Sequence, residues 1–473
     1  MVDNILLYIF FFGVVSEVYF LAVHKYRWIL LLAASYCLYT FWMQSAIWVL
    51  LAVTAVSYVA GLIIARTNKK TGRVVTAVCV VTIVSLMIAF KYLGFLTLSV
   101  NDLLRIFHLP ARVQYLSFIQ PLGIMFFSLK AISYVVDVYR RTIPAEKHIG
   151  YYALYIAFFP LLVAGPIERA STMLSQFRQK HPFNYIKARE GAFLIAYGFF
   201  KKMVIADQLG VIVTIVYKTP DTYIGYQLMT ATVLFAIQIY CDFSGYSDIA
   251  IGSAKLLGFQ TGPNFNNPYA AVSIRDFWDR WHISFSSWLK DYVYIPLGGS
   301  RVSPLRNNIN ILITFLISGL WHGANWTFVV WGLIHAGYLI GGNLYRNRFP
   351  RWTKWPVVRV PAIFVLVCIA WIFFRADTIH DATYILTHLF VNPYVKDFSL
   401  LPKEYITQEN TLEYMRYMFI IFLLIQAVLS WRKNIGSISW PLRWALYYVL
   451  VISVMAAFYI YGGDVRTFIY ATF

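Results

Sequence analysis

The chain has 473 residues, of which 60% are hydrophobic, 18% aromatic and only 13% charged. Soluble domains carry about a quarter charged residues, so this composition excludes an ordinary soluble protein and predicts one that crosses a membrane several times. The formal net charge is +19, and the basic residues stand in short clusters between apolar runs. That distribution follows the positive-inside rule and argues against nucleic-acid binding.

Apolar runs in the first part of the chain predict membrane helices. Lys25 and Arg27 follow the first run, and no basic residue precedes it. We therefore expect a retained first helix with its N-terminus outside. The helices predicted in this part cover residues 5–23, 28–43, 46–65, 74–90 and 121–139.

The middle of the chain is less regular. Tyr151–Pro166 is apolar but short, and Lys201 and Lys202 interrupt the following run, which indicates re-entrant or in-plane helices. We predict an all-α polytopic membrane protein of roughly ten to twelve transmembrane and re-entrant helices. A single domain is expected over residues 1–473. Regular spans are expected again near residues 360–374, 414–430 and 445–461.

The segment that begins at Ser273 predicts an amphipathic helix. Ser273 and Asp276 resemble a capping box, and Pro296 with two nearby glycines marks the end. One face is aromatic and the other is charged, which is typical of a helix lying flat at the membrane–water interface. His282 lies at the edge of the aromatic stripe, whose members are Trp278, Trp281, Phe285, Trp288 and Tyr292.

His282 is a candidate for chemistry because ionisable groups in apolar surroundings are costly and mark functional sites in membrane proteins. The alternative is an interfacial anchor whose imidazole bonds a backbone carbonyl. The aromatic stripe has packing as its alternative to ligand binding. Arg280, off the stripe, is either a headgroup anchor or an anion contact for a phosphate-bearing donor.

The segment 309–335 is mostly apolar, with His322 and Asn325 as the polar side chains furthest from its ends. A continuous helix would place His322 about 20 Å from the start of the segment, well inside the hydrocarbon. Gly319 and Gly323 flank it at the spacing that lets a neighbouring backbone or a substrate approach. The alternative for His322 is a packing role between helices. Asn325 is expected to orient the imidazole or to bind a substrate carbonyl.

Basic residues on both sides of this segment conflict with a single crossing. Loop 297–308 and the cluster Arg346–Arg359 both carry positive charge, and the positive-inside rule places both in the cytoplasm. Either residues 309–340 form a hairpin bent at the glycines around His322, or the loop is recessed in the protein. His335 is expected at the membrane interface.

Two aspartates, Asp242 and Asp248, lie in an otherwise apolar run. Such carboxylates pair with buried arginines, position a histidine or line a polar channel. Pairing is the favoured interpretation, because charges inside membranes are usually found in pairs.

Taken together, these residues resemble the membrane-bound O-acyltransferase superfamily, in its alginate O-acetyltransferase branch. The resemblance implies a ring of membrane helices around a central tunnel. It also implies that His322 occupies the catalytic position and that His282 is the second histidine of this branch. The C-terminal stretch follows the pattern only in part. The matching stretches are Lys91-Tyr92, Pro121–Ile124, Ser133–Tyr139, Ala164–Ile167, Asp242–Tyr246, Asp276–Gly299, Gly319–Trp326, Trp371–Arg375 and Phe468–Tyr470.

The resemblance implies acyl transfer from a thioester to a hydroxyl group. Neutral His322 would act as general base on the acceptor, and His282 would position the donor or assist proton transfer. Asn325 or a backbone N–H would stabilise the oxyanion. We expect no bound cofactor and no metal, with acetyl-CoA as the donor co-substrate. The candidate substrate-binding residues are Asn325, Trp278, Arg280, Trp281, Trp321, Asp242 and Asp248.

The resemblance further implies a multi-pass protein of the bacterial inner membrane that O-acetylates a cell-surface polysaccharide, directly or through an extracytoplasmic partner protein. Alginate-like polysaccharide, cellulose, peptidoglycan, teichoic acid and lipid are all compatible acceptors. Two other classes stay open on the sequence, namely a transporter or flippase for a lipid-linked glycan and a non-catalytic assembly scaffold. The lack of a visible inverted repeat in the sequence counts mildly against the transporter.

Overall fold

The computed structural model of the protein describes residues 5–116, 118–348, 356–391, 417–427 and 438–460. These residues form helices and their connections, and they contain no strand. The span expected near residues 414–430 lies only partly within the described residues, and the matching stretch Phe468–Tyr470 lies outside them.

The chain divides into two compact units. The first comprises Leu6–Phe183 and Leu257–Gly262, and the second comprises Asn184–Leu256 and the described part of Pro263–Phe473. The expectation of one domain over the whole chain stays a prediction. The helices of the first unit are α1 Ile5–Leu21, α2 Arg27–Met43, α3 Ile47–Arg66, α4 Lys69–Met87, α5 Leu93–Ile106, α6 Ile124–Tyr139, α7 Ile149–Ala157 and α8 Ala170–Arg178.

The second unit carries all of the candidate site residues. Its described helices are α9 Tyr185–Phe199, α10 Asp207–Lys218, α11 Tyr226–Leu256, α12 Ile274–Arg280, α13 Ile283–Leu289, α14 Pro304–His322, α15 Trp326–Arg348, α16 Pro356–Arg375, α17 Ile379–His388, α18 Tyr417–Ala427 and α19 Trp440–Ile460.

Six helical stretches of the described chain are long and apolar enough to cross a membrane, and three shorter apolar helices accompany them. They coincide with most of the spans expected from the apolar runs. The prediction of an all-α polytopic membrane protein is therefore confirmed. The six stretches are His24–Arg66, Lys69–Ile106, Tyr226–Leu256, Trp326–Leu344, Val357–Arg375 and Trp440–Tyr459.

The irregular middle of the chain is irregular in the structure too. The helix α7 is only nine residues long and is followed by a 3-10 turn at Phe159–Leu161. Lys201 and Lys202 lie in a π-helical segment, Phe200–Ala206, that joins α9 to α10. Such segments insert wider turns into an α-helix and are frequent at functional sites.

The helices α14 and α15 form an antiparallel hairpin that turns at residues 323–325. A Cβ atom added to Gly319 would lie 2.2 Å from the carbonyl oxygen of Phe328, and one added to Gly332 would lie 2.3 Å from that of Phe315. The two backbones are therefore in direct contact, which only glycine permits. The hairpin interpretation of 309–340 is confirmed, so the depth expected for His322 from one continuous helix does not apply. The alternative of a recessed loop 297–308 stays a prediction.

The core of the second unit is built on tryptophans. Trp281, Trp331 and Trp371 are fully buried, and the Trp371 ring centroid lies 5.0 Å from that of Trp281 and 6.1 Å from that of Trp331. Large aromatic side chains bury much apolar area at little cost in conformational freedom. This packing holds the helical hairpin, α12 and α16 together around the candidate site.

Gly319→Ala is expected to destabilise the hairpin, because the new Cβ would overlap the carbonyl oxygen of Phe328, 2.2 Å away. Overpacking of this kind costs about 1–3 kcal/mol. We expect a lower apparent Tm for the purified full chain in detergent, measured by intrinsic tryptophan fluorescence.

Gly337→Ala is the matched control, since Gly337 also lies on α15 but has no atom within 4 Å of an added Cβ. Alanine is favoured over glycine in a helix interior by about 1 kcal/mol, so its Tm should be unchanged or higher. Equal losses of Tm in both variants would contradict a specific contact at Gly319.

Candidate functional site

His282 lies at a break between α12 and α13. Its backbone adopts φ +43° and ψ +53°, in the left-handed region, which histidine tolerates better than most residues. The expectation of one continuous helix through His282 is therefore wrong. The break has a physical reason, because the preceding loop takes backbone groups that a continuous helix would pair within itself. The Asn266 N–H donates to the carbonyl oxygen of Arg280 at 2.9 Å, and the Ile283 N–H donates to the carbonyl oxygen of Asn264 at 2.9 Å.

The aromatic stripe packs inside the protein. Trp278, Trp281, Phe285 and Trp288 are all buried, so the prediction that this face lies against membrane headgroups is wrong. The stripe packs inside the protein, and substrate binding by its tryptophans stays a prediction. Charged residues of the opposite face, such as Lys290, are exposed. The segment is amphipathic as predicted, but its apolar side packs against the core of the second unit.

Asn264 holds the imidazole of His282 in one orientation. His282 Nδ1 lies 3.0 Å from Asn264 Oδ1, and the Ser284 hydroxyl donates to the same oxygen at 2.9 Å. The backbone N–H of Ser284 also approaches this atom at 3.4 Å, which identifies it as the acceptor end of the amide. The other end of the amide, Asn264 Nδ2, donates to Ser247 Oγ at 3.0 Å.

This arrangement fixes the tautomer of His282. Because Asn264 Oδ1 accepts only, Nδ1 of His282 must donate and therefore carries a proton. Burial lowers the pKa of His282 to about 3, so the ring is neutral near neutral pH. Nε2 of His282 is thus the basic nitrogen of the ring.

His322 ends α14 at the turn of the hairpin and is 2% exposed. Its ring centroid lies 4.9 Å from that of Trp321, 4.9 Å from that of Trp331 and 5.2 Å from that of Phe374. An added Cβ on the adjacent Gly323 would lie 2.0 Å from the Phe328 ring. The glycines around His322 are therefore needed for contact with α15.

The structure brings the two candidate catalytic histidines to one pair of aromatic rings. The Phe285 ring centroid lies 5.0 Å from that of His282 and 5.6 Å from that of His322. The Trp321 ring centroid lies 5.9 Å and 4.9 Å from the same two imidazoles. Two imidazoles enclosed in one aromatic cluster form a site suited to proton transfer in the absence of bulk water.

Three other predicted substrate-binding residues have hydrogen-bond partners within the protein. Asn325 Nδ2 donates to the carbonyl oxygen of Asp377 at 2.8 Å, and Asn325 Oδ1 accepts from the backbone N–H of Thr327 at 3.2 Å. Arg280 pairs with Asp276 at 2.7 Å. These bonds give Asn325 a capping role at the start of α15, and its role toward a substrate stays a prediction.

The third of these residues, Trp278, donates from Nε1 to Nδ1 of His335 at 3.3 Å. His335 is fully buried, so its expected position at the membrane interface is wrong. The cause lies in the α15 face that it shares with Trp331, which the hairpin turns toward the protein interior. The apolar character of the segment gave no signal of which face would be buried.

The two predicted aspartates pair with lysines from the π-helical segment. Lys202 Nζ lies 2.6 Å from Asp242 and 2.7 Å from Asp207, and Lys201 Nζ lies 2.7 Å from Asp248. Pairing was the favoured interpretation, but the partners are lysines instead of arginines. Substrate binding by Asp242 and Asp248 stays a prediction.

Sequence reasoning missed three residues that shape the site, namely Asn264, Trp331 and Phe374. Asn264 lies in a polar loop, 18 residues before the histidine that it contacts. No periodic pattern connects a loop amide to a histidine at that distance along the chain. Trp331 belongs to a long apolar run in which nothing in the sequence distinguishes a site residue from a packing residue. Phe374 lies in the stretch Trp371–Arg375 that carries the family resemblance, but its apolar side chain gave no reason to assign it to the site.

Comparisons with known proteins show which protein family this chain matches. The family model described as MBOAT, membrane-bound O-acyltransferase family, matches residues 34–377. The chain is 38% identical over 387 residues to the probable alginate O-acetylase of Azotobacter vinelandii. The aligned region covers 80% of this chain and 76% of that protein. The chain is 33% identical over 390 residues to the peptidoglycan O-acetyltransferase of Helicobacter pylori, covering 75% and 72%. It is 25% identical over 277 residues to the teichoic acid D-alanyltransferase of Bacillus subtilis, covering 55% and 69%.

The tautomer of His282 is directly measurable. In the full chain labelled with 15N-histidine and placed in nanodiscs, we expect the ring-nitrogen shifts of His282 to show a neutral imidazole protonated at Nδ1. Asn264→Ala removes the acceptor and should shift the ring toward the Nε2-protonated form. The signal is assigned by its loss in His282→Gln.

Ser247→Ala is the control for this measurement, because it removes the partner of Asn264 Nδ2 and leaves the acceptor oxygen in place. The His282 signal should keep its Nδ1-protonated pattern in this variant. An Nε2-protonated ring in the unmodified chain would contradict the assignment.

Lys202→Met is expected to be strongly destabilising, because it leaves the carboxylates of Asp242 and Asp207 buried without their shared cation. Breaking a buried pair in this way costs about 3–5 kcal/mol. The measurement is the unfolding free energy of the full chain in mixed micelles.

Lys255→Met is the matched control, since Lys255 on α11 pairs with Glu190 at a partly exposed position, with 34% of its side chain exposed. Such a pair contributes about 1 kcal/mol or less. Similar small losses in the two variants would show that the buried cluster does not require its lysine.

Proposed function

Because the chain belongs to the membrane-bound O-acyltransferase family, we propose that it moves an acetyl group from a cytoplasmic thioester donor to hydroxyl groups of a cell-surface polysaccharide. It is a multi-pass membrane protein and an acyltransferase. The names of its relatives support a polysaccharide acceptor, since they include an alginate O-acetylase and a peptidoglycan O-acetyltransferase.

The observation that carries this proposal is the pair of buried imidazoles on one aromatic cluster. His282 and His322 both contact Phe285 and Trp321. Two buried histidines brought together from separate segments have no packing requirement that an apolar residue would not meet better. A reaction with proton-transfer steps would explain why both positions carry an imidazole.

In the proposed reaction, His322 acts as general base. A neutral nitrogen of His322 takes the proton of the acceptor hydroxyl as its oxygen bonds to the thioester carbonyl carbon. The tetrahedral intermediate collapses, the carbon–sulfur bond breaks, and the imidazolium returns the proton to the departing sulfur. The products are an O-acetyl ester and a free thiol, so all atoms and charges balance.

His282 assists this chemistry from the other side of the aromatic cluster. Its basic nitrogen, Nε2, is set by the hydrogen bond from Nδ1 to Asn264. We assign it to positioning the donor or to relaying a proton. A neutral ring serves either role, and burial keeps His282 neutral by lowering its pKa to about 3.

The wider arrangement is also part of the proposal. The donor is acetyl-CoA, with no bound cofactor or metal, and it enters from the cytoplasmic side of the bacterial inner membrane. The acetyl group leaves on the opposite side, either directly to the polysaccharide or through an extracytoplasmic partner protein. The N-terminus lies on that outer side, and the helices surround a tunnel between the two faces.

Peptidoglycan is the second candidate acceptor, and the relative from Helicobacter pylori favours it at 33% identity. Alginate-like polysaccharide is preferred because several relatives named as alginate O-acetylases match at 36–38% identity. Family membership likewise favours an acyltransferase over a glycan transporter or an assembly scaffold.

His322→Ala tests the mechanism. We expect O-acetylation of the cell-surface polysaccharide to fall by a factor of about 10²–10⁴, the usual contribution of a general base. The measurement is the O-acetyl content of purified polysaccharide from cells that express the variant at the normal level.

His380→Ala is the matched control, because the His380 side chain is 87% exposed on α17 and lies outside the aromatic cluster. Its O-acetyl content should equal that of the unmodified chain. Unchanged acetylation in His322→Ala would remove His322 from the proposed mechanism.

A further inference from the structure

The buried face of α15 carries a row of polar groups beside His322. Thr327, Trp331 and His335 follow one another at intervals of four residues, so they share one face of the helix and span about 12 Å. All three side chains are fully buried. The Trp331 ring centroid lies 4.9 Å from that of His322 and 4.8 Å from that of His335.

Ser318 extends this row from the facing helix α14. Phe315 of α14 contacts His335, and His322 contacts Trp331. Ser318 lies three residues after Phe315 and four before His322, so it shares their face of the helix. It is also fully buried. We call Ser318, Thr327, Trp331 and His335 the polar row.

Each member of the polar row has one polar atom without a hydrogen-bond partner in the described part of the chain. These atoms are Ser318 Oγ, Thr327 Oγ1, Trp331 Nε1 and His335 Nε2. Roughly 90% or more of buried polar groups in proteins are hydrogen-bonded, and an exception calls for an explanation. Four exceptions on two facing helix surfaces beside His322 indicate that this surface binds a polar ligand.

The hydrogen-bonding capacity of these four atoms indicates which polar groups the ligand presents. The indole N–H of Trp331 can only donate. His335 Nδ1 accepts the indole N–H of Trp278 at 3.3 Å, so the proton of the neutral His335 ring lies on Nε2, which is therefore a second available donor. Two fixed donors and two hydroxyl groups are complementary to a ligand that presents oxygen acceptors.

We propose that the polar row binds the acyl donor, with Trp331 donating to the carbonyl oxygen of the acyl group and His335 to a second oxygen further along the donor. This proposal rests on the proposed function, because it takes the donor to be an acyl thioester. His335 lies about 6 Å beyond Trp331 along α15. The thioester carbonyl and the nearest amide carbonyl of a coenzyme A arm can match that separation.

Contact with Trp331 serves catalysis as well as binding. As the acceptor oxygen bonds to the carbonyl carbon, negative charge collects on the carbonyl oxygen until the carbon–sulfur bond breaks. A donor already aimed at this oxygen stabilises that charge without reorganisation. Asn325, the residue first expected in this role, has its amide in bonds with the backbone of Asp377 and Thr327.

The test uses S-acetonyl coenzyme A, a ketone analogue that cannot transfer its acyl group. Its binding to the full chain in nanodiscs is measured by titration calorimetry. Trp331→Phe keeps an aromatic ring and removes the N–H, and Thr327→Val replaces a hydroxyl by a methyl group of similar size. We expect Kd to rise about three- to tenfold in each variant, the usual contribution of one hydrogen bond.

Two readouts separate ligand binding from a structural role. Trp371→Phe is the control for the loss of a buried indole N–H. Trp371 Nε1 is also buried without a hydrogen-bond partner in the described part of the chain, but Trp371 lies on α16, outside the polar row. The Kd of this variant should be unchanged. Thr327→Val should leave Tm equal or higher, because the hydroxyl that it removes has no partner in the described protein.

Unchanged analogue affinity in both Trp331→Phe and Thr327→Val would overturn the subsite while leaving the proposed function intact. A fall in Tm of Thr327→Val with unchanged Kd would also overturn it, since the hydroxyl would then be structural. If the unmodified chain did not bind the analogue at all, the thioester donor would be wrong, and the proposed function would fail together with the subsite.

Discussion

The backbone contact between α14 and α15 is the constraint on which the rest of the site depends. Gly319 and Gly332 let the two helices meet at backbone distance, and this contact turns a long apolar segment into a hairpin. The hairpin places His322 at its turn and directs one face of α15 into the protein, where Trp331 and His335 are buried. With larger residues at the two glycines, the helices would separate and neither histidine environment would form.

Hydrogen bonding and burial act together on the second histidine. The amide of Asn264 is held at both ends, by Ser247 and by Ser284, so its oxygen has one orientation in which to meet His282. Surrounding rings, among them Phe243 with its centroid 4.6 Å from that of the imidazole, keep the ring neutral by excluding water. The outcome is an imidazole whose protonation state and tautomer are both determined before any substrate arrives.

Structural features that depend on a local sequence pattern could be predicted from the sequence. Apolar runs located the helices within a few residues, and the conflict of basic clusters around 309–340 correctly pointed to a hairpin. Features that depend on tertiary contacts could not be predicted from the sequence. The periodicity around His282 is that of a helix, and nothing in it signals the left-handed residue or the burial of the aromatic stripe. The lysine partners of Asp242 and Asp248 lie about forty residues away along the chain, on a π-helical segment that only the tertiary fold brings against α11.

The left-handed backbone of His282 has a consequence for how this fold changes in evolution. Glycine, asparagine and aspartate adopt that conformation most readily, and histidine is among the few other residues enriched there. The bend between α12 and α13 therefore survives replacement by asparagine or glycine, whereas a β-branched residue would strain it. Conformation and chemistry select histidine for separate reasons, so a descendant of this protein could lose the imidazole and keep its shape. The helices and the length of such a descendant would match those of an active enzyme. Only the residue at the bend between α12 and α13 would show that the imidazole had been lost.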